Sequence, residues 1–433
     1  MRHWFKDASF RGMMKNTGYL AGSRVITAAA GLLTLALAGR SLGVAMFGLL
    51  VLIDSYAQSA SNIIRFQSWQ LVVRYGSPAI ASGNPAGFKE AVGFAFALDV
   101  VSGIGGMLLA MALLPMLAPW FHIPDEYVGL ALVYCLLMPT MAAAAPIGVL
   151  RALDRFDILS GQGVVTPVMR SALTVMAWTL GLGFFWFVAI WFITDLVGDL
   201  VIWWLAAREL RRRNLLKGTR PTLRARGLEG GWKFALSVNA TGSLSTAWGP
   251  VANLLVGGLL GPVSAGLYRI SQTLVDSAGK PADMLAKVFY PEVVRLDLKT
   301  GHPWRLMLRA AALTGGAALL FAVAIAIGGR PLISAVFGHD FAPAYPILMV
   351  MIIALFMTTI AFPLAPMLYA LDKPTAPLIA RSVGVLVYFA SIIPLTRKWD
   401  VIGAAAAYVI GNAFVLLIMI SHVYRQFLKL RRS

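Results

Sequence analysis

Leu42-Gly43-Val44-Ala45-Met46-Phe47-Gly48-Leu49 returns 218 residues later as Leu260-Gly261-Pro262-Val263-Ser264-Ala265-Gly266-Leu267. A second motif keeps the same offset. Leu150-Arg151-Ala152-Leu153-Asp154-Arg155 matches Leu368-Tyr369-Ala370-Leu371-Asp372-Lys373. Either motif alone is weak. Two at one offset, each at the same place among flanking apolar runs, mark an internal repeat. Gly43 and Gly261 suit a sharp reversal between two helices. The small residues Gly39, Gly48, Gly257, Gly258 and Gly266 permit close helix approach.

The runs around these motifs are strongly apolar. Of 433 residues, 59% are hydrophobic and 13% charged, against about 25% charged in soluble domains. A soluble core cannot absorb that much apolar surface, and a disordered chain needs the opposite balance. The composition excludes an ordinary soluble enzyme. Runs of about 20 apolar residues can each cross the hydrocarbon as a helix. About twelve are expected, at 17–39, 43–65, 90–114, 127–150, 161–183, 186–207, 232–257, 263–289, 307–328, 344–369, 376–395 and 400–424. The fold expected is an all-α polytopic membrane protein of two six-helix lobes. A six-span unit leaves the membrane on the side it entered, so the repeat is parallel. The N-lobe covers 1–207 and the C-lobe 231–433, with a basic cytoplasmic linker at 208–230 between them.

The chain carries 37 Lys and Arg against 19 Asp and Glu, for a net charge of +18. Twenty-nine of the basic residues fall at the termini and in the loops on one side of these spans, four in the other loops, and four within spans. This asymmetry places both termini on the cytoplasmic side of the membrane. It also removes nucleic acid as the reason for the charge. Nine of the cations lie at 208–233, which reads as a solvated linker on anionic lipid headgroups.

Cys135 is the one cysteine, and the five histidines are scattered, so no metal site or cofactor is expected. Gly279-Lys280-Pro281 is not a P-loop. The outer loops reach only about 15 residues, too short for a catalytic domain, so no enzyme is expected. The first apolar run lacks a cleavage pattern and reads as a span.

A charge at mid-bilayer costs about 2.5–3.5 kcal/mol and demands water or a partner. The eighth span carries Arg269, Gln272, Asp276, Lys280, Asp283 and Lys287 on one helical face. The second carries Asp54, Gln58, Asn62 and Arg65, which map by the repeat offset onto Gln272, Asp276, Lys280 and Asp283. Facing polar stripes suit a water-filled cleft between lobes; polar glue within one lobe is the alternative. Arg24 and Arg170 are further deep cations, and Arg381 lies near an inner end. Asp99, Asp195 and Asp199 are lone membrane carboxylates. Each pairs with a cation or, for Asp195 in particular, serves ion coupling. Trp120, Phe121, Trp186, Trp203, Trp204, Trp304 and Trp399 suit an interfacial belt. Trp248 sits mid-span, where it packs or lines the cleft.

The layout, the Leu-Gly-x4-Gly-Leu turns and the segment from Arg65 through Trp69 to Arg74-Tyr75-Gly76 carry a resemblance. The chain resembles Wzx-type polysaccharide flippases of the multidrug/oligosaccharidyl-lipid/polysaccharide exporter superfamily. The resemblance implies a V-shaped, alternating-access transporter. It implies movement of undecaprenyl-diphosphate-linked oligosaccharide from the inner to the outer leaflet, for surface polysaccharide or lipopolysaccharide such as O-antigen. Glycosyltransferases or a polymerase of the same pathway would be partners, alongside membrane lipids. Related lipid II flippases have a cationic cavity lined by helices one, two, seven and eight. Arg24, Arg65, Arg269 and Lys280 match it by position and charge. Two alternatives stand: a cation-coupled multidrug antiporter using Asp54, Asp195 or Asp276, and a membrane glycosyltransferase or polymerase.

Overall fold

The computed structural model describes residues 8–432 except 226, 247, 295, 297–299 and 374. Within this range the side chains of residues 8–25, 238, 240–248, 283, 287, 288, 291, 431 and 432 lie outside the described set, and so do those of Arg24, Trp248 and Asp283. Every long element among the described residues is an α-helix. The helix Ala8–Ile64 is broken at Gly43 into α1 (residues 8–42) and α2 (44–64). Short helical turns over 68–81 lead to α3 (Pro85–Leu117). The fourth helix, α4, comes in three pieces: Asp125–Cys135, Met138–Met141 and Ala144–Ala152. Helices α5 (Phe156–Thr179) and α6 (Phe184–Arg212) follow. Then come α7 (Gly231–Thr246 and Trp248–Leu260), α8 (Pro262–Val294) and α9 (Gly301–Phe337). Helix α10 is Ala344–Ala361 with Leu364–Ala370. Thr375–Arg432, broken at Trp399 and Asp400, supplies α11 (375–398) and α12 (401–432).

Six helices among the described residues are long and apolar enough to cross a membrane. Two of them, Ile26–Ala81 and Thr375–Leu430, are the broken helices of 56 residues each. The bent pair Asp125–Cys135 and Met138–Ala152, at 41°, adds a seventh. The apolar part of α7, Gly249–Leu260, is too short for this set, and helices α5 and α8 also fall outside it. Gln162, Arg170 and Ser171 interrupt the first, and the polar stripe from Arg269 interrupts the second.

The repeat is visible in the backbone. Gly43 and Gly261 both have positive φ, 69° and 85°, the left-handed region that glycine enters without penalty. Asp154 and Asp372 have φ of 55° and 56°. Each ends a helix with the same bonds. Arg155 N donates to Leu150 O at 2.8 Å, and Asp154 N to Arg151 O at 3.1 Å. Lys373 N donates to Leu368 O at 2.9 Å, and Asp372 N to Tyr369 O at 3.1 Å. Both are left-handed helix caps that satisfy otherwise orphaned carbonyls.

The chain divides into two compact units. The first runs to Leu42 and then from Leu52 to Ala252. The second is Gly43–Val51 with Asn253–Ser433. The first has a core of Phe88, Phe94, Leu98, Val149 and Leu150. The second has one around Phe289, Trp304, Met367, Leu368 and Ala380. Within the second unit the motif glycines do the packing. A methyl group at Gly48 would overlap the Pro262 carbonyl, and one at Gly266 would sit 3.0 Å from Val44 O. Of the expected aromatic belt, Trp120, Trp186, Trp204 and Trp399 are exposed, whereas Phe121 and Trp304 are buried.

Candidate functional site

In the first unit, four helices bring charged and polar groups together. Asp54 of α2 is only 2% exposed. It accepts from Gln58 Nε2 at 2.8 Å, one turn on. The Tyr134 hydroxyl of α4 lies 3.2 Å from Asp54 Oδ1 and 3.1 Å from Asp195 Oδ2 of α6. A phenol has one hydrogen, so Tyr134 donates to one carboxylate at a time. Arg170 of α5 is ion-paired with Asp195. Its Nε donates to Thr194 Oγ1 at 2.9 Å, and its guanidinium lies 5.0 Å from the centre of the Trp191 ring. The pairing reading of Asp195 is therefore the one the geometry realises. A buried ion pair persists when further groups satisfy its partners; here Thr194 Oγ1 takes Arg170 Nε and the Tyr134 hydroxyl reaches Asp195 Oδ2.

The break in α4 accounts for more of the expected site. Pro139 and Pro146 cannot donate to the helix ladder, so backbone groups around them need other partners. Asp99 Oδ2 accepts from Ala145 N at 2.6 Å and thereby caps the third piece. Its other oxygen takes the Ser68 hydroxyl. Arg65 Nη1 donates to Met141 O at 3.4 Å, and Trp203 Nε1 to Thr140 O at 3.3 Å. The Thr140 hydroxyl lies 2.8 Å from Leu137 O and 3.2 Å from Asp199 Oδ2, and its one hydrogen serves either. Two residues of the expected polar stripe of α2 thus have partners on the broken α4 or on their own helix. Asp54 and Arg65 are engaged inside the first unit, in the manner of interhelical glue, because the broken α4 beside them offers free carbonyls and a phenol. Asn62 of the same stripe is half-buried. Asp99 and Asp199 find neutral donors (Ser68, Ala145 N–H and Thr140) beside them.

The stripe of α8 differs. Gln272 is 6% exposed and its Oε1 has no hydrogen-bond partner among the described residues. Arg269 Nε is buried and likewise without one. Lys280 is half-buried and Asp276 exposed. Asn253 of α7 is fully buried, and neither its Nδ2 nor its Oδ1 finds a partner among the described residues. Asn253 and Arg269 stand eight residues before and after Gly261, about 12 Å along each helix from the turn. A buried polar group left unmatched costs about 1–3 kcal/mol. Several such groups lie on α7 and α8, as do Ser55 Oγ, Ser59 Oγ, Thr174 Oγ1 and Trp191 Nε1 in the first unit, and water or a ligand can fill them. Arg381 is exposed, consistent with its place near a span end.

Sequence reasoning missed Tyr134 and Asn253. Tyr134 sits beside Cys135 in an apolar run, and Asn253 lies between Ala252 and Leu254. A lone uncharged polar residue in such a run carries no periodic signal. Arg24, Trp248 and Asp283 lie outside the described side chains. No group of acids, histidines or cysteine that could hold a metal ion occurs among the described residues.

Residues 86–346 match the family model described as polysaccharide biosynthesis protein. Inner membrane protein YghQ of Escherichia coli is 45% identical over 350 residues, covering 80% of this chain and 99% of that protein. Two solved structures share the fold. The lipid II flippase MurJ, in an inward closed conformation, matches with a TM-score of 0.70 at 14% identity, over 96% of this chain and 90% of that one. An inward-facing multidrug resistance MATE family transporter of the MOP superfamily matches with a TM-score of 0.66 at 15% identity, over 96% of both chains. At such identities the likeness is one of fold. The apolar helices make the chain a multi-pass membrane protein, and it belongs to the polysaccharide biosynthesis protein family, on the helical fold shared by MurJ and MATE transporters.

Proposed function

We propose that this protein is a Wzx-type flippase. It moves undecaprenyl-diphosphate-linked oligosaccharide from the inner to the outer leaflet of a bacterial inner membrane, by alternating access, with both termini cytoplasmic. The glycan is destined for surface polysaccharide or lipopolysaccharide such as O-antigen. Glycosyltransferases or a polymerase of the same pathway supply or consume it. What carries the reading is one conjunction: a polysaccharide biosynthesis family on the fold of a lipid flippase.

The diphosphate needs cationic and N–H donors in a site of low dielectric. Arg269 and Lys280 of α8 supply the charge, with Gln272 and Asn253 as neutral partners for the headgroup or first sugar. Arg24 of α1 and Arg65 of α2 are the N-terminal cations of the same reading. Arg65 also holds Met141 O, so its substitution affects folding and transport together and is the poorer probe. Asp276 and Asp283 compete for the same cations and favour release. Of the three acids the antiporter alternative would use, Asp54, Asp195 and Asp276, the second is neutralised by Arg170.

The test uses a strain whose surface glycan depends on this protein. Arg269→Ala combined with Lys280→Ala is expected to abolish surface display, with normal protein levels and accumulated inner-leaflet intermediate. Unchanged display would remove the site assignment. Failure to form the glycosidic linkage at all would favour the glycosyltransferase reading. Drug resistance that collapses with the ion gradient would favour the antiporter.

A further inference from the structure

The basic segment between α6 and α7 is not a loose linker. Leu215 and Leu228 are buried in the core of the first unit. Thr222 N donates to Gly93 O at 3.3 Å, and Gly227 N to Glu90 Oε1 at 2.6 Å, both on α3. The Tyr75 hydroxyl donates to Glu229 O at 2.8 Å. Trp232 Nε1 closes the strap by donating to Leu223 O at 3.2 Å, and its ring packs edge-on against Phe94 at 5.3 Å. At the start, buried Glu209 holds Arg155 at 2.8 Å and Arg213 at 2.9 Å.

These contacts engage the backbone and the nearby acids Glu90 and Glu209. They leave Arg211, Arg212, Lys217, Arg220 and Arg224 exposed. Leu223 and Trp232, each 41% exposed, stand among them. The strap joins the ends of two membrane helices, so it lies at the membrane surface. Fixed cations flanked by an indole and a leucine match a layer of phosphate headgroups over acyl chains.

We propose that residues 211–225 and 227–232 form a preformed binding surface for anionic phospholipid headgroups. The proposal rests on the cytoplasmic placement of this segment, but not on what the protein transports. Preorganisation separates it from a solvated basic tail: the backbone is ordered before lipid arrives, so the ordering cost is not charged to binding.

The test uses the purified full-length protein in detergent, titrated with phosphatidylglycerol or phosphatidylcholine. Bound lipids are counted by native mass spectrometry at low and high salt. The parent is expected to retain phosphatidylglycerol preferentially, and less so at high salt. Replacing Arg211, Arg212, Lys217, Arg220 and Arg224 by Gln should lower retention about tenfold or more. Arg→Lys at the four arginines should preserve it, which controls for misfolding. Gly93→Ala changes no charge, but its methyl would overlap the Arg220 carbonyl. It should displace the strap and lower retention several-fold. Neutralising Arg425 and Lys429 in α12 should change little. Unaltered retention in the Gln variant or in Gly93→Ala would overturn the proposal, the second by reducing the effect to bulk charge. So would displacement of the lipid by millimolar pyrophosphate but not by added phosphatidylglycerol, because that would make the strap a site for soluble diphosphate.

Discussion

Arg170 meets its neutralising groups on α6: Asp195, Thr194 and the ring of Trp191. Removing one partner of such a pair leaves an uncompensated buried charge, whereas removing both does not. Arg170→Met and Asp195→Leu should each lower unfolding stability by about 3–5 kcal/mol. The double variant should recover much of that loss. Denaturant unfolding in micelles, arranged as a double-mutant cycle, reads the coupling. Additive losses would mean that the pair is not coupled. The charges of Arg170 and Asp195 were legible in sequence because an ionised residue in an apolar run stands out. Their pairing was not, since 25 residues and a turn separate them. Tyr134 was not legible at all, because its hydroxyl matters only beside Asp54 and Asp195.

At the scale of the element, α4 and α10 meet the same difficulty with different chemistry. Both are interrupted near proline. In α4, Asp99 takes the Ala145 N–H and Arg65 the Met141 carbonyl. In α10, the Thr314 hydroxyl of α9 donates to Thr359 O at 2.9 Å. Asp99→Ala strands both the Ala145 N–H and the Ser68 hydroxyl. It should cost about 1–3 kcal/mol for each group left unmatched and speed hydrogen exchange over residues 142–145. Asp99→Asn keeps an acceptor and should cost less. Equal loss in the two variants would show that the negative charge, not the cap, is what matters. Proline and glycine announced the interruptions. The neighbours that fill them come from α2, α3 and α6 for α4 and from α9 for α10, and no local pattern encodes that choice.

For the molecule as a whole, the repeated turn serves two purposes. Gly43 and Gly261 reverse or kink the chain by positive φ, and Gly48 with Gly266 admits close backbone approach inside the second unit. Gly48→Ala forces the 43–51 segment away from Pro262. It should abolish surface glycan display while leaving the protein inserted at normal level, as read by membrane immunoblot. Gly31→Ala, with nothing within 4 Å of the added carbon, is the matched control and should behave as the parent. Loss of display in both would attribute the effect to glycine content rather than to the contact.

The sequence by itself determined the membrane class, the helical character and the repeated motifs. Hydropathy over one span and glycine at one turn are local properties, and a fixed offset needs no contact to be seen. Only the tertiary structure decided which charges are neutralised within the fold and which polar groups stay open. Asp54, Arg65, Arg170 and Asp195 looked like equals of Arg269 and Gln272 along the chain. Packing against α4 and α6 gave the first four partners, while Arg269 Nε and Gln272 Oε1 received none among the described residues. A charge shows its cost in its own helix, but its compensation lies on another.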